Sequence, residues 1–216
     1  METSFHNTER SGHSLLERYA KNEIATYDLA DTYKAEYADN ITKSAPPNRW
    51  KDLNKSYYDA GLSYFENFEG FGEYKILAVE FKVNFKIGKY RFTGFIDLVL
   101  EDKDGNIIIV DHKSKTDIKK NEIEKYLYQL YLYSVAVKEA FGKYPTQLRF
   151  NLFKTNIEIT KDFIPEDLEK ANNWFLTTIQ NIYDEKDFVP TKSEFFCDFL
   201  CDVSHCCNCS KNYVGE

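Results

Sequence analysis

The stretch GFIDLVLEDKDGNIIIVDHKSK, residues 94–115, places two aspartates within apolar runs. Asp97 interrupts FIDLVL, Asp111 ends IIIVD, and between them lies Asp104-Gly105, a dipeptide typical of tight hairpin turns. We therefore expect two antiparallel strands joined by this turn. A carboxylate among buried apolar side chains is costly unless a cation or hydrogen-bond donors compensate for it. The hairpin is thus the first candidate for a functional site.

The expected register brings the two carboxylates close together. A hairpin closed by that turn places position 97 opposite position 112, so a single bulge would bring Asp97 level with Asp111. Adjacent carboxylates repel each other unless a cation lies between them, and Mg2+ or Mn2+ prefers oxygen ligands. Lys113 alternates back onto the face of Asp111, whereas the His112 ring is expected to face solvent. The alternative is a buried Asp111–Lys113 ion pair, with Asp97 satisfied by hydrogen bonds.

Hydrophobic periodicity along the rest of the chain predicts a single α/β fold. The expected order is two helices, three strands, a helix, two strands and a helix. The predicted helices cover 12–38, 54–68, 121–141 with Asn121 as N-cap, and 165–183, and the predicted strands cover 76–85, 89–100, 107–113, 147–156 and 156–163.

Composition suits one globular domain, which we expect at 1–190, followed by a cysteine-rich tail at 191–216. Apolar runs stay below the roughly 20 residues that span a bilayer, and the polar start METSFHNTERSGHS is unlike a signal peptide, so a cytoplasmic location is expected. The formal net charge of -7 argues against a basic nucleic-acid coat protein. It leaves room for an enzyme that meets nucleic acid through a local basic groove.

Four motifs and a cysteine tail occur in an order that resembles the PD-(D/E)XK nuclease superfamily. They are RSGHSLLERY with His13, GFID with Asp97, IIIVDHKS with Asp111 and Lys113, QLYLY with Gln129 and Tyr133, and the C-terminal cysteines. The pattern is most similar to the RecB/AddB-type exonuclease branch, which includes CRISPR-associated and phage nucleases. The resemblance implies a restriction-endonuclease-like core, that is, a central mixed β-sheet flanked by helices.

The resemblance also implies a role for each matching residue. The divalent metal ligands would be His13, Asp97, Asp111 and the main-chain carbonyl of His112, and the catalytic residues would be Asp97, Asp111 and Lys113. Gln129 and Tyr133 would contact nucleic acid or support Lys113, although Tyr133 fits the apolar stripe of its helix equally well.

Two further sets of residues are candidates from their position. Glu80, in the strand before Asp97, is either an additional metal ligand or a solvent-facing strand residue. The loop KSKTDIKK offers Lys115, Lys119 and Lys120 as phosphate contacts, or as an ordinary solvated loop.

The function implied is a Mg2+- or Mn2+-dependent DNA exonuclease that acts on single strands or duplex ends. Such modules serve recombination, repair, phage replication or CRISPR adaptation. Two other classes stay open: a nucleic-acid-binding or assembly protein of weak or no activity with the same fold, and a structural-zinc protein with a fortuitous Asp-x-Lys.

All five cysteines lie between Cys197 and Cys209, which predicts a metal or cluster site rather than disulfides. The candidate ligands are Cys197, Cys201 and Cys206 with Cys207 or Cys209, for a 4Fe-4S cluster or a structural Zn2+. In the family that the chain resembles, a fourth cysteine precedes the helix that carries the metal-binding histidine, whereas here no cysteine precedes His13. Either the tail completes the set, or the N-terminus is shortened, or no cluster forms.

Overall fold

The computed structural model describes residues 4–40 and 49–187, together with short pieces and single residues of the C-terminal segment between 189 and 214. Within these residues the chain forms five α-helices and five strands. Their bounds are α1 Ser4–Ala20, α2 Leu29–Asn40, α3 Leu53–Glu66, β1 Lys75–Ile87, β2 Tyr90–Glu101, β3 Ile107–Lys113, α4 Ile123–Phe141, β4 Gln147–Leu152, β5 Ile157–Asp162 and α5 Pro165–Asp184.

The five strands form one mixed sheet in the order β1-β2-β3-β4-β5. Strands β1, β2 and β3 are antiparallel neighbours, β3 and β4 are parallel, and β4 and β5 are again antiparallel. The parallel pair requires a crossover, and α4 supplies it. This arrangement confirms the predicted α/β class, a central mixed sheet flanked by helices.

The sheet is covered by helices on both faces. One face packs against α4 and α5 through residues such as Val99, Ile109 and Leu130. The other face packs against α1, where Ala20 contacts the cluster of Leu98 and Val110. Because β3 is buried on both sides, its sequence is a continuous apolar run rather than an alternating one.

Strands β1 and β2 change faces at one level. Ile96 packs with the α4 cluster, whereas Leu98, two residues later, packs on the α1 side. Residues two apart in a regular strand share a face, so β2 turns over at Asp97. The paired strand β1 turns over at Glu80, which adopts the left-handed conformation with φ 46°.

The β2–β3 register differs by one residue from the predicted one. Leu98 pairs with Val110, so position 97 faces position 111 rather than 112, and no bulge in this ladder is needed to bring the two aspartates level. The reason is the turn, which runs over three residues because the Asp102 carboxylate accepts hydrogen bonds from the Asp104 and Asn106 N–H groups. Gly105, with φ 78°, supplies the left-handed residue that this turn type requires.

The first predicted helix is in fact two. Helix α1 ends in a Schellman motif, in which the Glu23 N–H bonds to the Arg18 carbonyl and the Asn22 N–H bonds to the Tyr19 carbonyl. Asn22 occupies the left-handed position, with φ 60°, that glycine usually fills. Helix α4 begins at Ile123, after Glu122, so Asn121 is not its N-cap.

None of the helices that the structure describes is both long and apolar enough to cross a bilayer.

Gly94 determines how closely α4 approaches β2, and this contact is testable. A Cβ atom on Gly94 would lie 2.7 Å from Cε1 of the Tyr133 ring. We expect Gly94→Ala to lower the free energy of unfolding by about 1–3 kcal/mol, because the ring is overpacked against the new methyl group. Urea denaturation would measure the change. In a Tyr133→Leu background the same substitution should cost much less, and an equal cost in both backgrounds would contradict the contact.

Candidate active site

Three side chains converge where β1 and β2 change faces. His13 on α1, Glu80 on β1 and Asp97 on β2 each place one potential ligand atom within 4.8 Å of the other two. Helix α1 is fixed by Leu15 and Leu16, which are fully buried, so His13 is held over the sheet from a rigid element. An imidazole and two carboxylates at this separation form a donor set that suits a divalent cation.

Asp97 is held by the backbone of the neighbouring strand. Its Oδ2 atom accepts a hydrogen bond of 2.7 Å from the His112 N–H, and it lies 3.7 Å from Nδ1 of His13. The regular β2–β3 ladder ends at Leu98, so the carboxylate takes the hydrogen bond that a main-chain carbonyl would otherwise receive. Asp97 is therefore fixed at the edge of β3 with its carboxylate turned toward α1.

Glu80 joins the site through its unusual backbone. A non-glycine residue with positive φ is strained, and such strain is found preferentially at functional sites. Burial raises the pKa of the Glu80 carboxyl, and the negative charges of Asp97 and Glu17 raise it further, while His13 and Lys21 oppose the shift. Burial is the largest cause of this shift and the neighbouring carboxylates add to it, so a bound cation would stabilise the ionised form of Glu80.

Asp111 and Lys113 lie next to this group as an ion pair. The Lys113 Nζ atom is 2.7 Å from Oδ2 of Asp111, and the two side chains are 18% and 6% exposed. Burial raises the pKa of Asp111, the Lys113 ammonium opposes that shift, and the nearby Asp97 carboxylate adds to it. The Asp111–Lys113 ion pair, which the sequence offered as the alternative to a metal site, is thus present. It lies beside the group of His13, Glu80 and Asp97 and exists together with it.

The His112 ring is buried, and the expectation that it faces solvent was wrong. Both faces of β3 are covered, so alternation turns the ring into the α1 side of the protein instead of into water. There its Nδ1 accepts a hydrogen bond of 3.0 Å from the Asn151 amide, which also donates to the Tyr64 hydroxyl. Burial lowers the pKa of His112 to about 3, and the positive charges of His13 and Lys113 lower it further, so the ring is neutral.

Asn151 is the residue that sequence reasoning missed. It is a buried polar side chain of β4, as is Arg149 two residues earlier, and it lies directly opposite His112 in the parallel ladder. In the sequence LRFNLF these polar residues alternate with apolar ones, which is equally typical of a strand with one solvent-facing side, so the sequence alone gave no signal that the amide is buried.

Gln129 and Tyr133 contact each other on α4. The Gln129 amide donates to the Tyr133 hydroxyl over 3.1 Å, and the Tyr133 ring lies against Gly94 of β2. Both residues line a groove of about 340 Å³ between α4, α5 and the β1–β2 hairpin, together with aromatic residues including Trp174. Tyr133 also contacts the main core, so its packing role is real, and the nucleic-acid role of the pair stays a prediction.

The lysines after β3 are placed differently from one another. Lys115 donates a hydrogen bond to the Tyr126 hydroxyl and lies 4.7 Å from the centre of that ring. Lys119 and Lys120 are exposed just before α4, where the Lys119 carbonyl accepts from the backbone of the first helical turn. Their contact with phosphate stays a prediction.

The cysteine tail is described only in part. Cys197 is buried, Cys201 and Cys209 are half-buried, and all three are thiols rather than disulfides. The side chain of Cys206 and the whole of Cys207 lie outside the described residues. Among the cysteines that are described, no three are close enough to share a metal ion, so the cluster stays a prediction.

Comparison with known families agrees with the observed fold. The sequence model of the PD-(D/E)XK nuclease superfamily matches residues 10–208, which include every element of the sheet and all the residues of the candidate site. No curated protein sequence matches the chain. The superfamily comprises metal-dependent nucleases, whose substrates are nucleic acids. Because the match extends over nearly the whole sequence, the chain belongs to the PD-(D/E)XK nuclease superfamily.

Proposed function

We propose that the protein is a Mg2+- or Mn2+-dependent DNA exonuclease of the RecB-like type, acting in recombination, repair, phage replication or CRISPR adaptation. The observation that carries the proposal is the convergence of His13, Glu80 and Asp97 beside the Asp111–Lys113 pair. A half-buried site with two or three carboxylates, one imidazole and one ammonium matches the chemistry of phosphodiester hydrolysis.

The donor set supports a divalent cation. His13, Glu80 and Asp97 would hold it, and Asp111 and the main-chain carbonyl of His112 are further oxygen donors on the adjacent strand. A bound Mg2+ or Mn2+ would act as a Lewis acid on the phosphodiester and would lower the pKa of water. Burial and, to a lesser extent, the charge of Asp97 raise the pKa of Glu80 and Asp111, and a bound cation would stabilise both ionised carboxylates, which is a favourable electrostatic contribution to metal affinity.

Lys113 supplies an ammonium in direct contact with the Asp111 carboxylate. Its side chain is largely buried, so its charge is poorly screened and acts strongly on groups that enter the site. It would stabilise the extra negative charge that develops on the phosphate oxygens in the transition state. Asp111 orients this ammonium and limits its movement, and Asp97, fixed by the His112 N–H, would be one of the residues that hold the cation.

Asp111→Asn and Lys113→Ala should each reduce Mn2+-dependent degradation of end-labelled linear DNA by at least about a hundredfold, since each removes a charge from the reacting centre. Gel analysis of the products would measure the loss, and thermal unfolding would show that both variants remain folded.

The turn of the same hairpin offers matched controls. Asp104→Asn and Lys103→Ala make identical chemical changes at exposed positions, and both should keep full activity. Undiminished cleavage by both site variants would exclude the proposed role, and binding of DNA without any cleavage by the unaltered protein would favour a nucleic-acid-binding protein instead.

Glu80→Gln tests whether Glu80 belongs to the metal site. We expect it to weaken Mn2+ binding at least about tenfold in calorimetric titrations, because an anionic donor becomes neutral. The exposed Glu73→Gln provides a control with the same chemical change. An unchanged Mn2+ affinity in Glu80→Gln would assign Glu80 to the strand alone.

Exonuclease action requires a DNA end. Incubation with Mn2+ and equal amounts of linear and covalently closed circular DNA should degrade the linear molecules and spare the circles. Cutting of circles at a comparable rate would show an endonuclease, and the DNA end would then play no part in recognition.

A further inference from the structure

The outer face of the β1–β2 hairpin is basic and free of acidic residues. Residues 82–95, KVNFKIGKYRFTGF, contain four cationic side chains and no carboxylate, in a chain whose net charge is -7. Strand alternation and the observed register place six exposed residues on this outer face, in the cross-strand pairs Lys82–Phe95, Asn84–Thr93 and Lys86–Arg91. The opposite face of the same hairpin packs into the core.

Among the described residues the cations of this face have no carboxylate partner, as is also true of some other surface lysines, whereas several basic residues elsewhere are paired. Elsewhere on the surface Arg18 pairs with Glu36, and Lys170 pairs with Asp167. Within the part of the chain that the structure describes, Lys82, Lys86 and Arg91 form no ion pair. Positive charge that is not neutralised by neighbouring carboxylates is available to an anionic partner.

This face leads directly into the candidate active site. Glu80 and Asp97 lie two positions beyond Lys82 and Phe95 along their respective strands. From Arg91 to Asp97 a strand extends about 20 Å, at about 3.3 Å per residue. The basic face is therefore long enough to contact several nucleotides of one strand, and it ends at the carboxylates of Glu80 and Asp97.

Phe95 distinguishes among the possible anionic partners. Its side chain is 51% exposed, although it is large and apolar, and the Lys82 ammonium lies 6.0 Å from the ring centre. An exposed aromatic ring among cations is the arrangement on which unpaired bases stack while their phosphates are neutralised. Base pairs in a duplex are stacked on each other and do not present their faces to such a ring.

We infer that the outer face of the β1–β2 hairpin is the binding track for a single DNA strand. Lys82, Lys86 and Arg91 contact successive phosphates, and Phe95 stacks on a base next to the phosphate at His13, Glu80 and Asp97. This inference rests on the proposed nuclease function, and it names the form in which the substrate enters the site.

The test combines Lys82→Gln, Lys86→Gln and Arg91→Gln in an Asp111→Asn background, with Mg2+ present, and measures binding of a fluorescent single strand by anisotropy at several salt concentrations. Loss of three phosphate contacts should weaken binding about a hundredfold at 0.1 M salt and reduce the salt slope by about 2. The control in the same background combines Lys143→Gln, Lys161→Gln and Lys170→Gln, which remove the same charge away from the hairpin and should change binding little. Equal losses in the two triple variants would overturn the inference, since only net charge would then matter.

Phe95→Ala separates a single strand from a duplex. It should weaken single-strand binding at least about fivefold, through the loss of one stacked base, and leave binding of a blunt duplex nearly unchanged. Equal effects on both forms, or none on the single strand, would refute the single-strand track.

The proposed nuclease function and the single-strand track can be tested separately. If the unaltered protein degrades DNA while the hairpin triple variant binds the single strand as tightly as the control triple variant, only the track is wrong. If the unaltered protein neither binds nor degrades DNA, the proposed function fails and the track fails with it.

Discussion

The hydrogen bond from the His112 N–H to the Asp97 carboxylate is the interaction on which the geometry of the candidate site depends. Two central strands normally satisfy each other with main-chain groups alone. Here β2 turns over at Asp97, and its side chain replaces the missing main-chain partner, so the ladder can end without leaving a buried N–H unsatisfied. The Asp97 carboxylate, which belongs to the candidate site, thereby also satisfies the N–H group at the end of the β2–β3 ladder.

The change of faces in β2 and β1 also determines which charged groups meet in the candidate site. Because β1 turns over at the matching residue, Glu80 is brought to the level of Asp97, and His13 approaches from the helix above. Asp111 enters from β3, accompanied by its own counter-ion Lys113. Carboxylates outnumber cations in this half-buried space, and the resulting repulsion is what a divalent ion would balance. At the same position the Glu80 backbone has a positive φ of 46°, a strained conformation of the kind that clusters at functional sites.

Local sequence rules were sufficient for the strands, the crossover helix and the two aspartates, because those features follow from periodicity and turn chemistry. They were insufficient where tertiary contacts, rather than hydrophobic periodicity, determine the local structure. The Asp102 side chain lengthens the turn and shifts the register by one residue, and cover on both faces of β3 buries His112. The change of faces at Glu80 arises from pairing with β2, so no rule applied to β1 alone would predict where that side chain lies. Conversely, the order of His13, Asp97, Asp111 and Lys113 indicated the family before any geometry was known.

The hydrogen bond between Asn151 and His112 has a consequence for the choice of metal ion. The His112 ring lies edge-on to the His13 ring, with 5.8 Å between the ring centres, so a second imidazole is available almost within reach of the donor set. Two imidazoles with carboxylates would form the nitrogen-rich environment that Zn2+ and Fe2+ favour. The Asn151 amide occupies Nδ1 of His112, and the surrounding core holds the ring away. In the proposed metal site, a single amide side chain on the neighbouring strand would thus keep the ligand set dominated by oxygen atoms, which disfavours the softer ions.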